Sequence, residues 1–149
     1  MRDSIQTVQD FFNVVVEPNV REAITNPHDQ RLVLNALISL HQMNDWAFYE
    51  YVHDPNSTTG ARAQLRKYSE RLYERKAALG EARVYATNAK HCRPDSVDHK
   101  TFATSAMDAT SVRLSVIAKS ADGTSARMVE TVLEAFEFWK RELEILPNK

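Results

Sequence analysis

The sequence has few of the residues that make staples, tight turns or membrane spans. Cys92 is the only cysteine in 149 residues. No disulfide can form within the chain, and a reducing compartment fits. Three glycines and five prolines are few for an all-β protein, which needs many tight turns. So few glycines also exclude phosphate cradling by a Gly-rich loop, and there is no P-loop, dinucleotide fingerprint or serine nucleophile elbow. No run of about 18 apolar residues occurs, so no membrane span is expected. The opening MRDSIQTVQDFFNVVVEPN is interrupted by acids and amides and is followed by no small-residue cleavage site, unlike a secretory leader. The expectation is a cytoplasmic protein with no membrane partner.

What is present suits an ordinary globular protein: 43% hydrophobic and 26% charged residues. The length suggests one domain over residues 1–149. A chain of this size buries roughly two-thirds of its unfolded surface and needs no staple to fold.

Helical spacing dominates the pattern. Ser4 or Asp3 is positioned to cap a first helix through about Val16, which Glu17-Pro18 ends or bends. A short turn or helix is expected around Val20–Ile24, then a break at TNPHD. Asp29 caps a second helix, Gln30 to Val52, with two neighbouring stripes. One is Val33, Leu37, Leu40, Asn44, Ala47 and Tyr51; the other is Leu34, Ile38, His41, Asp45, Phe48 and Val52. A helix apolar over so much of its circumference belongs in the middle of a bundle. The third helix is predicted over Ala61 to Leu79, on a stripe of Leu65, Tyr68, Leu72 and Leu79, with a bend at Gly80 and continuation over Glu81–His91. Pro94 stops it. Beyond it, KTFATSA and SVRLSVIAKS are rich in β-branched residues, and ADG is a turn signal, which predicts a small β-hairpin or extended arm. A last helix over Ser125 to Leu146 carries Val129, Val132, Leu133, Phe136, Trp139, Leu143 and Leu146. The predicted fold is mainly α: a four- or five-helix bundle with a small β-arm before the last helix.

Net charge is −1 but unevenly spread. Residues 1–60 have three basic and eight acidic side chains, and residues 61–91 have eight basic and three acidic. The basic centre, with Arg62 and Arg66, attracts an anion such as RNA, or else forms a solvated face that pairs with the acidic first part.

Three features carry possible chemistry. His41 and Asp45 lie four apart within an apolar stripe, and Asn44 interrupts the neighbouring one. Buried polar groups cost about 1–3 kcal/mol unless hydrogen-bonded, so this is either a satisfied structural cluster or an acid-base pocket. A metal reading, with His91, Cys92 and His99 completing a site, lacks a second ligand pair of recognisable spacing. No metal or cofactor is therefore expected. Trp46 and Tyr49 are candidates for stacking on bases. The third feature is ARVYATNAKHCRP, Ala82 to Pro94. At about 100° per residue, Arg83, Thr87 and Lys90 share one helix face, and Val84, Asn88 and His91 the next. Asn88 thus neighbours His91, beside two cations, an arrangement that suits proton transfer at a phosphodiester. Read structurally, Lys90 and His91 are cations opposing the macrodipole at a helix C-terminus.

The helix RVYATNAKH resembles the signature helix of HEPN domains, in which an arginine is followed by four to six residues and a histidine. Here Arg83 and His91 are separated by seven residues, and Val84 stands where the family has a polar residue. The resemblance implies a helical bundle, often dimeric, and in many members metal-independent cleavage of RNA in toxin–antitoxin or phage-defence systems. It makes His91 the base or acid and Arg83 a phosphate ligand. Lys90 would add a second cation, Asn88 would orient His91, and Asp45 and His41 would contribute from the neighbouring helix. The alternative is a non-enzymatic bundle that binds a protein partner through the basic third helix and the Trp46/Tyr49 face.

Overall fold

The structure, a computed structural model, describes residues 4–91 and 126–148. It is a bundle of helices: α1 (Val8–Phe11), a π-helical turn (Phe12–Val16), α2 (Glu17–Thr25), α3 (Gln30–Tyr51), α4 (Ala61–Arg75), α5 (Ala77–His91) and α6 (Ala126–Ile145), closed by a 3-10 turn at Leu146–Asn148. There is no strand among the described residues. The expected hairpin or arm before the last helix lies outside them, as does Cys92.

The first helix starts later than Ser4. Thr7 caps it: its hydroxyl accepts the Asp10 backbone N–H, and the Asp10 carboxylate accepts the Thr7 N–H. This reciprocal pair satisfies two donors that a helix start otherwise leaves open. It also holds the Asp10 carboxyl below its usual range, the Thr7 hydroxyl contributing most. Of the two outcomes expected at Glu17-Pro18, an end or a bend, the first does not occur: the helix does not end. The backbone widens by one residue just before Pro18, and the Glu17 N–H bonds to the Phe12 carbonyl five residues back. A π turn re-registers the ladder where proline cannot donate, so Pro18 falls in the first turn of α2. One helical path therefore runs from Val8 to Thr25.

Asp29 caps α3 as its sequence suggests, accepting N–H groups from Arg31 and Leu32. α3 packs against α1, α2, α4, α5 and α6, which is why so much of its circumference is apolar. Val33, Ala36, Leu37, Leu40, Met43, Ala47 and Phe48 are buried. Tyr51 and Val52, assigned to its apolar stripes from spacing, are exposed, because the last turn of α3 runs past the core. On α6, Leu133 is likewise exposed, whereas Met128, Val132, Ala135, Trp139 and Leu143 form the inner face.

The α4–α5 break falls at Lys76, four residues before the expected bend. Lys76 is extended, and its N–H caps the Leu72 carbonyl. Gly80 lies within α5, against the side of Tyr73. A Cβ added there meets Tyr73 Cβ and Cγ at 3.6 Å, an ordinary contact.

Ion pairs tie the α4–α5 corner to α6. The Glu81 carboxylate is 4% exposed and receives two N–H groups of Arg127 and the Thr131 hydroxyl. Arg127 also reaches Glu134 at 3.0 Å, and Lys76 meets Glu134 at 2.8 Å. Arg75 grips Glu142 with two bonds of 2.9 and 2.7 Å while its guanidinium sits 5.1 Å from the Phe138 ring centre. The basic segment thus pairs in part with the last helix rather than with the acidic first sixty residues, because the α4–α5 corner lies beside α6.

Two stability outcomes follow. Removing one partner of a buried ion pair strands the other, at about 3–5 kcal/mol. Arg127→Met leaves Glu81 with Thr131 alone and should lower urea-derived stability by roughly 3 kcal/mol. Gly80→Ala should raise it by about 0.5–1 kcal/mol, because the backbone entropy penalty of glycine in a helix is relieved without a clash.

Candidate functional site

A cavity of about 470 Å³ opens between α3 and α5, lined by Ile38, His41, Gln42, Asp45, Ala86, Thr87 and Ala89. On α3 the four lining residues fall at i, i+3, i+4 and i+7, one helix face. Its origin lies in the sequence. Where α3 carries His41 and Asp45 in place of aliphatic side chains, α5 presents the small Ala86 and Ala89. Neither helix fills the space, and the polar positions stay open to it.

The charge arrangement follows from burial. His41 is half-buried, and its Nδ1 has no hydrogen-bond partner among the described residues. Burial holds its imidazole below the ordinary value of 6.5; Asp45 opposes that shift and Arg83 adds to it. The ring is therefore neutral at neutral pH, able to take a proton, with a carboxylate and a guanidinium near enough to bias it. Arg83 lies over the Tyr73 ring at 5.9 Å. The Tyr73 hydroxyl accepts a bond from the Asn44 amide at 3.2 Å. Burial pushes the Tyr73 phenol up, and Arg83 pulls it partly back. Asn44, Tyr73 and Arg83 thus link α3, α4 and α5 beside the cavity.

The structure places the sequence candidates unevenly. His41 and Asp45 line the cavity; Arg83 is exposed and close enough to influence His41. Thr87, which shares the Arg83 face of α5, lines the cavity too. Asn88 is half-buried on α5 and does not line it. Lys90 and His91 are the last two residues of α5, with side chains outside the described residues. Arg62 and Arg66 are exposed on α4, away from the cavity lining, and Arg66 pairs with Glu70 at 3.0 Å. Trp46 stacks on Phe11, ring centres 5.1 Å apart, and packs against the core. Tyr49 is 56% exposed and meets Phe48 and His53 edge-on.

Sequence reasoning missed Tyr73 and Gln42. Tyr73 falls off the stripe drawn for the third helix, and only the break at Lys76, which turns the chain between α4 and α5, brings it to Arg83. Gln42 carries no local signal; it is an ordinary exposed helix residue until α5 is set beside it.

Compared with protein-family models, curated proteins and solved structures, the chain matches none.

The electrostatics can be checked by NMR titration of the histidine rings. His41 should titrate below 6.5. Asp45→Asn should lower it further and Arg83→Met should raise it, since these remove the opposing and the reinforcing charge. The unfolded chain takes up this proton more readily than the folded one. The contribution of His41 to stability is thus fully present above 6.5 and is lost as pH falls through its folded value. His41→Gln should flatten that part of the stability–pH curve.

Proposed function

We propose that this chain is a HEPN-like protein that acts on RNA, cleaving it without a metal ion at the cleft between α3 and α5. One observation carries the reading. Arg83, the cation that the HEPN resemblance assigns to phosphate, stands beside a cavity lined by a neutral imidazole and a carboxylate, His41 and Asp45. These came from two separate parts of the sequence.

The chemistry needs three things. A base removes the proton of a ribose 2′-hydroxyl, which attacks the adjacent phosphorus. A cation stabilises the charge that builds on the phosphorane oxygens. An acid protonates the departing 5′-oxygen, leaving a 2′,3′-cyclic phosphate and a free 5′-hydroxyl. Arg83, with Lys90 about two turns further along the same face of α5, supplies the cations. His91 supplies the base or acid, oriented by Asn88, and His41 with Asp45 supplies the second proton-transfer group. The exposed bases of a bound strand have Tyr49 as a stacking surface, whereas the Trp46 ring is already occupied by Phe11. On this reading a toxin–antitoxin or phage-defence setting follows from the resemblance.

A second reading rests on a different observation. Tyr49 and Val52, three residues apart at the end of α3, are both exposed, and neighbouring apolar side chains of this size suit a protein partner. The bundle would then be a non-enzymatic interaction module.

Degradation of RNA by purified protein in EDTA separates the two. On the first reading, cleavage persists in EDTA, yields 2′,3′-cyclic phosphate ends, and falls about 10²–10⁴-fold in His91→Ala and in Arg83→Ala. A folded His91→Ala protein with full RNase activity would remove the catalytic role. Absence of cleavage together with tight binding of a protein partner, lost in Tyr49→Ala, supports the second.

A further inference from the structure

The α3–α5 cavity holds two polar side chains whose hydrogen-bonding groups the cleavage chemistry leaves free. Gln42 and Asp45 both line it, and both are exposed. They stand three residues apart on α3, a spacing that makes them neighbours, with Cβ atoms about 5–6 Å apart. Neither forms a hydrogen bond or ion pair among the described residues. Asp45 biases His41 by its charge alone, so both carboxylate oxygens are available to a ligand. The cavity, about 470 Å³, falls in the range of roughly 300–1,000 Å³ usual for small-ligand sites. Its other walls include Ile38, Ala86 and Ala89, which suit the face of a flat ring.

Side by side, the two side chains offer a set order of groups: two acceptors on the carboxylate, then an N–H donor on the amide. The complement is two adjacent donors followed by an acceptor. Guanine alone among the four RNA bases has it, with N2–H and N1–H beside O6 on the Watson–Crick edge that proteins read in single strands. Adenine and cytosine present one amino donor beside a ring-nitrogen lone pair, which a carboxylate repels. Uracil presents one N–H between two carbonyl oxygens. We infer that Asp45 and Gln42 make the cavity a guanine site: Asp45 accepts N1–H and N2–H, and the Gln42 amide donates to O6. The site rests on the RNA reading above for its ligand and adds the base that the strand places there. Arg83, near enough to act on His41, supplies the charge for a phosphate of the same nucleotide.

Calorimetric titration of the full chain with nucleoside 3′-monophosphates tests the site without requiring cleavage. The guanosine form should bind about 10–100-fold tighter than the adenosine, cytidine and uridine forms, as expected for a hydrogen bond to a charged group. The inosine form, which lacks only the N2 amino group, should bind about tenfold weaker than the guanosine form. Asp45→Ala should bind guanosine and inosine forms equally. Gln42→Leu should weaken both alike, by about three- to tenfold, and keep their ratio, since both carry O6. Circular dichroism confirms that the two variants remain helical. Equal binding of all the nucleotides, or no binding of the guanosine form up to roughly millimolar concentration, would overturn the inference. So would a guanosine-to-inosine ratio unchanged in Asp45→Ala. The EDTA cleavage assay reads the parent proposal separately. RNA cut with no preference for guanosine removes the guanine site and leaves the cleavage reading. Selective guanosine binding without cleavage supports the guanine site and removes the cleavage reading.

Discussion

The bundle is organised by one constraint: α3 is enclosed by other helices along most of its length, yet has polar side chains at its middle. Leu37, Leu40, Met43, Ala47 and Phe48 are taken out of water completely. At about 25 cal/mol per Å² of apolar surface, such a helix is the main source of hydrophobic stabilisation in a chain this size. Asn44, one residue from Met43, cannot share that gain; its amide N–H finds a partner in the Tyr73 hydroxyl, whereas its Oδ1 has none among the described residues. Asp45 stays exposed because its charge cannot be buried, and the neutral His41 is only half-buried, so the surface of the bundle opens at that point. The place of the cavity follows from the place of these three side chains.

The same tension explains the neighbouring helix. α5 is held against the core by Ala78, Leu79, Ala82 and Tyr85 on its inner side. It is locked to α6 through the buried Glu81–Arg127 pair. Such a pair adds little net stability compared with apolar residues of the same volume, but it tolerates few alternative alignments. It fixes the rotation of α5, and that rotation turns Arg83 and Thr87 toward the polar side of α3. A structural ion pair in the first half of α5 thus bears on the electrostatics of the cavity along its second half.

How much of this was legible in the sequence depended on the range of the interaction. Asp29 as a cap, the central position of α3, the apolar inner face of α6 and the polar interruption by His41, Asn44 and Asp45 were all readable, because each is encoded within a few turns of one helix. The passage through Pro18 was not, because a π turn leaves no residue signature at Phe12–Val16. The break at Lys76 was missed because no glycine or proline marks it; Gly80, which does look like a breaker, sits comfortably inside α5 against Tyr73. Spacing alone placed Tyr51, Val52 and Leu133 in the core, since periodicity shows which face a residue is on but not where the neighbouring helices end. The approach of Arg83 to His41 required the α4–α5 turn, a tertiary fact. The resemblance that singled out Arg83 and His91 lay on one helix only, and Arg83 acquired its chemical setting from α3 and α4.

The central claim is that the α3–α5 cleft is where a phosphodiester binds. The most direct measurement is an amide NMR titration with a short RNA made uncleavable by 2′-deoxy substitution. The account predicts shift changes concentrated in two stretches, residues 38–45 of α3 and 83–89 of α5, which weaken together in Arg83→Met. Changes confined to the exposed face of α4 around Arg62 and Arg66, or no changes at all, would contradict it.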